Sequence, residues 1–445
     1  MPETYVKKKR LTSFQIIILG FAGVILTGAV LLALPFSSAS GHMTSFADAL
    51  FTATSAVCVT GLVLHDTATY WSVFGQFIII LLIQIGGMGV ITVAASFAML
   101  SGRKISLMQR STMQEAIAAP KVGGIVRLTG FIVKVTLLIE LLGAAAMAPV
   151  FCRDFGLFRG VWMAFFHSVS AFCNAGFDLM GTEAPFSSMT AYAANPVINL
   201  TIMLLIISGG IGFLTWEDIE HNGINFRRYR MQSKIILMMT AILIAVPTVF
   251  LYIYEFSWAE GAERIWISVF QAVTPRTAGF NTVDFGEVSE VGQALVIVLM
   301  LIGGSPGSTA GGMKTTTALV LFATALAVFR RRERAHFYGR SVPDETVKQA
   351  ATIFLLYIVL FFGGAFVMAM AEELPLGACL FETASAIGTV GLSLGMTPGL
   401  GQLSRLILIG LMFFGRVGGL TLIFAAVSGT RRTVARLPQE KITVG

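Results

Sequence analysis

Apolar runs long enough to cross about 30 Å of bilayer hydrocarbon recur along the whole chain. They lie at 14–36, 73–100, 131–150, 197–216, 235–254, 295–329, 350–371 and 406–427, and the sixth is interrupted. A chain built this way folds against lipid. Charged residues are 12% of the 445, against about 25% in a soluble protein, and mean hydropathy is +0.80. The opening MPETYVKKKRL and the run after it have the outline of a secretory leader, with small residues SSASG beyond. The run is about 23 residues, longer than a leader core of about 7–15. It is therefore read as an uncleaved first span.

Between paired spans lie shorter segments at 46–58, 161–173, 265–273 and 375–387. They are too short to span and read as re-entrant. Each runs into a similar sequence: SAVCVTGL, SAFCNAGF, AVTPRTAGF and SAIGTVGL. The glycines, Gly61, Gly176, Gly279 and Gly391, recur at about 110 residues. Ten positions before them stand Phe51, Phe166, Val269 and Phe381; six before stand Ser55, Ser170, Val273 and Ser385. The third copy matches least. The second span of each unit carries a glycine cluster: IGGMG, SGGIG, IGGSPG and GRVGG. The predicted fold is an all-α membrane protein of four tandem span–pore-helix–span repeats around a central pore. The repeats are placed at 1–120, 121–225, 226–340 and 341–445, with the broken span in the third and a cytoplasmic tail in the fourth.

The charges orient the chain. With the short segments outside, only Arg153, Arg159, Arg264, Arg276 and Arg405 of the 31 Lys and Arg lie outside. Lys314 and Arg416 fall within spans, and the rest gather inside. This is the positive-inside pattern, with both termini cytoplasmic. The net charge of +7 thus reflects topology and contact with anionic membrane lipid, not nucleic acid.

A cation enters hydrocarbon only if something replaces its water, and rings of backbone carbonyls do so for K⁺. Irregular backbone at membrane depth is tolerated where protein buries it or it lines a cavity. Glycine supplies the positive φ that lets successive carbonyls face one axis. The short helix before each loop presents the negative end of its dipole. One such loop would signify a turn; four equivalent loops point to a K⁺ filter. Its carbonyls come from Val59, Thr60 and Gly61; Asn174, Ala175 and Gly176; Thr277, Ala278 and Gly279; and Thr389, Val390 and Gly391.

The four-fold plan, with VTGL, NAGF, TAGF and TVGL each carrying one glycine, resembles the Trk/Ktr/HKT superfamily of K⁺ transporters over nearly the whole chain. TPRTAGF and the break GGSPGSTAGGMK match as well. The first repeat begins near residue 14, without the extra N-terminal pair of Trk-type subunits, so the Ktr-type membrane subunit is the nearer match. The resemblance implies K⁺ uptake across a bacterial cell membrane, stimulated by Na⁺, although no Na⁺ site is legible. Gly61, where plant relatives often carry Ser, implies K⁺ over Na⁺. A homodimer on a cytosolic nucleotide-binding regulatory ring of the Ktr A type is also implied. The sequence has no Walker motif and no GxGxxG opening a βαβ unit, so no organic cofactor is assigned. The segment of Gly303, Gly304, Ser305, Pro306, Gly307, Ser308, Thr309, Ala310, Gly311, Gly312 and Lys314 cannot hold a continuous helix. The resemblance makes it a gate under the filter, with Arg416 as a barrier or latch; a structural salt bridge is the alternative for Arg416. Lys314 either snorkels inward or meets the gate.

Glu140 reads as a buried packing acid. It lies six residues from Lys134, not a same-face spacing. Glu382 is placed to brace its filter loop; it and Asp48 lie on short helices. Asp66, Asp178 and Asp284 follow their glycines, either drawing cations to the mouth or merely solvated. Cys58 and Cys173 read as small packing residues. Arg276, at the same offset, is expected to turn to acids such as Glu287 or Glu290. The four cysteines and five histidines form no metal or disulfide pattern. An intramembrane enzyme would need clustered His, Asp, Glu or Ser at span depth, and none is legible. The remaining alternative is a broken-helix secondary transporter for another monovalent cation.

Overall fold

The computed structural model describes residues 11–101, 105–119, 121–182 and 184–427. The basic cluster at 7–10 and the tail beyond 427 lie outside the described residues. Regular strand among the described residues is confined to a small hairpin pairing His336–Phe337 with Arg340–Ser341. Everything else of regular structure is helical.

Four long apolar helices, Ser13–Ala33, Ile125–Phe155, Met231–Glu255 and Asp344–Glu372, form the outer layer. Each leads to a short helix: Phe46–Val57, Leu157–Phe172, Gly261–Val273 or Leu376–Gly388. A glycine loop follows, then an inner helix: Val73–Met88, Pro196–Gly210, Glu290–Leu301 or Gln402–Val417. The chain is thus an all-α membrane protein of four span–short-helix–span units around one axis. Local chemistry starts these helices where they start. Thr12 and Gln15 form a capping box, and Ser45, Ser72, Asn195 and Ser289 accept from first-turn N–H groups.

The inner helices correct three expected continuous spans. Those at 73–100, 197–216 and 406–427 each break sharply, turning by 95°, 96° and 92°. The breaks fall at Gly89, Gly212 and Gly418, whose φ values of 86°, 88° and 89° are incompatible with helix. In the third unit the same break opens into the loop from Ile302 to Lys314. The interruption is therefore general, and the third unit is its extreme form. One turn earlier, a Cβ on Gly86, Gly209 or Gly415 would strike the carbonyl of Val57, Phe172 or Ile387. The glycine cluster lets each inner helix cross the end of its own short helix at backbone distance.

The third short helix also corrects the register. In three units the residue before the filter glycine donates its N–H to the carbonyl five back: Thr60 to Ser55, Ala175 to Ser170 and Val390 to Ser385. In the third, Ala278 donates to Thr274, four back. One residue is missing there. The structural equivalents of Phe51, Phe166 and Phe381 and of the serines are Phe270 and Thr274, not Val269 and Val273. All four phenylalanines are fully buried, each contributing about 1.5–3 kcal/mol of apolar burial. The third repeat matches least only when gaps are disallowed.

Candidate functional site

The four glycine loops meet at one ring. A Cβ on Gly61 would meet the carbonyl oxygen of Ala175; on Gly176, that of Ala278; on Gly279, that of Val390; and on Gly391, that of Thr60. Each glycine thus abuts the carbonyl preceding the next unit's glycine, and the fourth closes on the first. Every one of them has positive φ, 92°, 69°, 80° and 92° in chain order. The residue two before each also does, which the sequence did not signal: Val59 (51°), Asn174 (58°), Thr277 (66°) and Thr389 (51°). Non-glycine residues rarely adopt this conformation, so the surrounding fold imposes it.

Hydroxyls on the short helices fasten the loops. Ser55 and Ser385 Oγ accept the N–H of Gly61 and Gly391 at 3.1 and 3.0 Å. Ser170 and Thr274 Oγ donate instead to the carbonyls of Phe177 and Phe280, at 2.7 and 2.5 Å. Thr60, Thr277 and Thr389 Oγ1 are buried in the loops without a hydrogen-bond partner. Buried hydroxyls are ordinarily satisfied, so these three are exceptions, and all three lie in the glycine loops.

On one side the ring opens into a cavity of about 410 Å³ lined by all four glycines and by Asp66, Asp178 and Asp284. Asp66 is committed to structure: one carboxylate oxygen caps its helix at the N–H groups of Ala68 and Thr69, and the other accepts from Phe186 N–H. Burial pushes the Asp178 carboxyl up to about 7, and neighbouring Asp66 adds to the rise; the Met180 N–H bond opposes it. Asp284 is exposed.

On the opposite side lies the glycine-rich loop. Thr309 and Ser305 N–H donate to Gly209 and Gly210 carbonyls, Phe213 N–H donates to Gly307 carbonyl, and Gly312 N–H donates to Gly415 carbonyl. A Cβ on Gly311 would collide with Thr389, and one on Gly307 would reach 2.8 Å from the carbonyl of Ile117. The loop is therefore fastened to the first, second and fourth units. Gly303, Gly304, Ser305, Thr309, Ala310, Gly311 and Gly312 are buried; Pro306 and Ser308 are half-buried. A second cavity, of about 310 Å³, is lined by this loop together with Lys314 and Arg416.

Arg416 stands in the last turn of its helix, beside the bend. Its guanidinium donates to the carbonyls of Thr309, Gly86 and Gly87, the last at 3.0 Å. Among the described residues it forms no ion pair, so the salt-bridge alternative is set aside. Lys314 Nζ donates to the carbonyls of Ala310 and Gly311 at 2.9 and 3.4 Å, and so meets the loop. Arg276 is 4% exposed, and the expected pair with Glu287 or Glu290 is absent among the described residues. Its neighbours across the loop leave its Nε unpartnered.

Glu140 is a buried acid held by Gln84 Nε2 at 3.1 Å, with Cys173 Sγ at 3.8 Å. Cys173 packs against Gly87, and Cys58 is fully buried. Asp48 bonds Arg405 Nη1 at 2.8 Å and faces His65 at 3.4 Å, joining the first unit to the fourth. Glu382 accepts from Ser393 and Thr397 hydroxyls at 2.5 and 2.8 Å and from Leu394 N–H at 3.3 Å, the expected brace. Sequence reasoning missed two residues at the same place. His167 accepts from Leu179 N–H, and Gln271 faces Thr282. Aligning the third unit with its one-residue gap puts both in register with Glu382.

Comparison with known proteins agrees with this architecture. The family model described as "TrkH: Cation transport protein" matches residues 7–431. The potassium/sodium uptake protein NtpJ of Enterococcus hirae is 39% identical, the match covering 98% of each chain. The Ktr system potassium uptake protein B of Bacillus subtilis is 37% identical, over 100% of this chain and 99% of that protein. The crystal structure of the potassium transporter TrkH from Vibrio parahaemolyticus superposes with a TM-score of 0.75 at 20% identity, covering 95% of this chain and 86% of that one. The chain belongs to the TrkH family of cation transport proteins, a multi-pass membrane family of transporters rather than enzymes.

Proposed function

We propose that this chain is the K⁺-translocating membrane subunit of a Ktr-type uptake system in a bacterial cell membrane, with both termini cytoplasmic. The observation that carries the proposal is the closed ring of four positive-φ glycines, each against the next unit's carbonyl. Such a ring can replace the hydration shell of a desolvated monovalent cation. Potassium stands in the names of both relatives, as potassium/sodium uptake in Enterococcus hirae and potassium uptake in Bacillus subtilis, which supports K⁺ as the ion. Thr60, Thr277 and Thr389 supply further oxygen at the ring, and the acids of the adjoining cavity concentrate cations at its mouth.

The loop of residues 303–314 acts as the gate. With its backbone bonded across the inner helices and Lys314 and Arg416 beside it, it closes the path sterically and sets positive charge below the ring. The inside-negative potential, about 2.3 kcal/mol per charge per 100 mV, drives uptake once it moves. Na⁺ stimulation, a homodimer and a cytosolic nucleotide-binding ring belong to the same proposal. They are supported by the likeness to the Ktr subunits.

The test is K⁺ uptake in transport-deficient cells, with and without Na⁺, comparing the parent chain with Gly61→Ser. A serine must adopt φ of 92° and stand against Ala175, so ion preference should shift toward Na⁺. Unaltered preference in a normally expressed protein overturns the filter. Deleting Gly303–Gly312 should raise flux; unchanged or abolished flux in folded protein overturns the gate.

A further inference from the structure

After the second, third and fourth filter glycines the chain runs back, and the third residue along donates its N–H to the short helix. A buried N–H needs an acceptor. In three units one short-helix side chain, the residue after the buried phenylalanine, faces that segment. His167 is fully buried. Its Nε2 accepts from Leu179 N–H at 3.1 Å, and its Nδ1 lies 2.7 Å from the carbonyl of Met163. Both bonds form together only in the neutral tautomer protonated at Nδ1. Gln271 is 1% exposed and, with its amide turned so that oxygen faces the donors, accepts from Thr282 N–H at 3.0 Å and Val283 N–H at 3.1 Å. Glu382 is fully buried and holds Leu394 N–H and the hydroxyls of Ser393 and Thr397. The first unit differs: Thr52 at this position donates to the carbonyl of Asp48 in its own helix.

We infer that His167, Gln271 and Glu382 are positioning residues that set the ion preference of the ring. The inference rests on the filter proposed above and adds the parts that hold its radius. A carbonyl ring discriminates a larger from a smaller cation only while its strands are kept from closing inward. Inward closure is opposed where the outgoing strand is anchored to the short helix. Three chemically different acceptors do this in three quadrants; in the first, the outgoing strand meets its short helix through His65 and Asp48 at 3.4 Å instead. Fastening by the Ser55 class of hydroxyls acts on the glycine and its successor. The new set acts further out, so the loop is held at two points.

The experiment uses the full chain with its cytosolic partner, purified and reconstituted, and measures K⁺ and Na⁺ flux in the same liposomes. Gln271→Leu and Glu382→Leu remove the acceptor at similar volume. Each should lower the K⁺ over Na⁺ preference by about tenfold while protein yield and size-exclusion profile stay those of the parent. Glu382→Gln and Gln271→Glu keep an acceptor oxygen and should retain the parent preference. If the leucine variants are monodisperse and keep the parent preference, the inference is overturned. If they misfold, Gln271→Met and His167→Gln decide: the first should lose preference and the second keep it, and the reverse overturns it. Gly61→Ser in the same liposomes separates the two proposals. A shift there with none in the leucine variants defeats this inference alone. No shift with Gly61→Ser defeats the filter itself.

Discussion

Thr309 Oγ1 lies 3.0 Å from Asn174 Oδ1 and 3.0 Å from the carbonyl of Phe172, so one hydroxyl of the glycine-rich loop is seated on the second glycine loop. Asn174 also donates to the carbonyl of Arg276 at 3.3 Å, which ties the second and third loops together. The two parts assigned to selection and to gating are therefore in direct contact. Thr309→Val removes the donor and leaves buried acceptors unmet, at a cost of about 1–3 kcal/mol to the seated loop. Since about 1.4 kcal/mol is a factor of ten in an equilibrium, resting K⁺ flux should rise roughly tenfold. Fluorescent flux assays in liposomes check this, and parent-like flux would count against seating by Thr309.

Arg416 is the other fastening. Replacement by Gln removes a charge bonded to three carbonyls on two inner-helix regions, at Thr309 and at Gly86 and Gly87. The variant should assemble normally and conduct more, because these bonds hold the loop rather than the outer helices. Loss of the folded protein on size exclusion would instead make Arg416 a scaffold residue.

The bend at Gly89 should respond to backbone preference alone. A side chain there has open space, the nearest atom being Thr92 Oγ1 at 3.7 Å, yet φ is 86°. Gly89→Ala costs about 1–2 kcal/mol in the bent state. It should shift the 73–100 segment toward a straighter helix. Spin labels at Phe77 and Phe97 would report a longer distance; an unchanged distribution would mean packing, not the glycine, sets the bend.

The seam between first and last units rests on Asp48 and Arg405. The pair is half-buried, so Asp48→Asn should lower thermal stability by about 1 kcal/mol or less, and added salt should shrink the difference. A double-mutant cycle with Arg405→Gln measures the coupling; zero coupling would show that the helices close the ring unaided.

Asp178 gives a pH dependence. Burial, with Asp66 nearby, pushes its carboxyl up to about 7, so it ionises as pH rises through that value and adds negative charge to the cavity beside the glycine ring. The KM for K⁺ should fall between about pH 6 and 8, and Asp178→Asn should flatten that change. The stability sign is opposite. An acid whose pKa is raised on folding holds its proton more tightly when folded, so its contribution declines as pH climbs from about 4 through 7. Melting curves of parent and variant across that range check the second statement.

Much of the plan was legible in the residues. The spacing of Gly61, Gly176, Gly279 and Gly391 gave the unit, and apolar length gave the membrane class, because both are local properties. The brace by Glu382 was legible from its place on a short helix. Gln271 was not, because a missing residue before Gly279 shifted it out of register; His167 stands in register, nine residues before Gly176, but a lone buried histidine shows its role only once Leu179 N–H is placed against it. Glycine signals positive φ by its lack of a side chain, whereas Val59 and Thr389 adopt it only because their neighbours compel them.

What the sequence alone determined is a four-fold membrane chain with one conformationally free residue per loop and a segment unable to stay helical. Hydropathy, charge and side-chain sterics act within a few residues, so they survive in one dimension. The tertiary structure decided which carbonyl faces which glycine, that all four inner helices break, and which groups the glycine-rich loop is bonded to. Thr309 and Asn174 are 135 residues apart, and Arg405 and Asp48 are 357 apart. No local pattern encodes such pairs, because they exist only once the four units close around their axis.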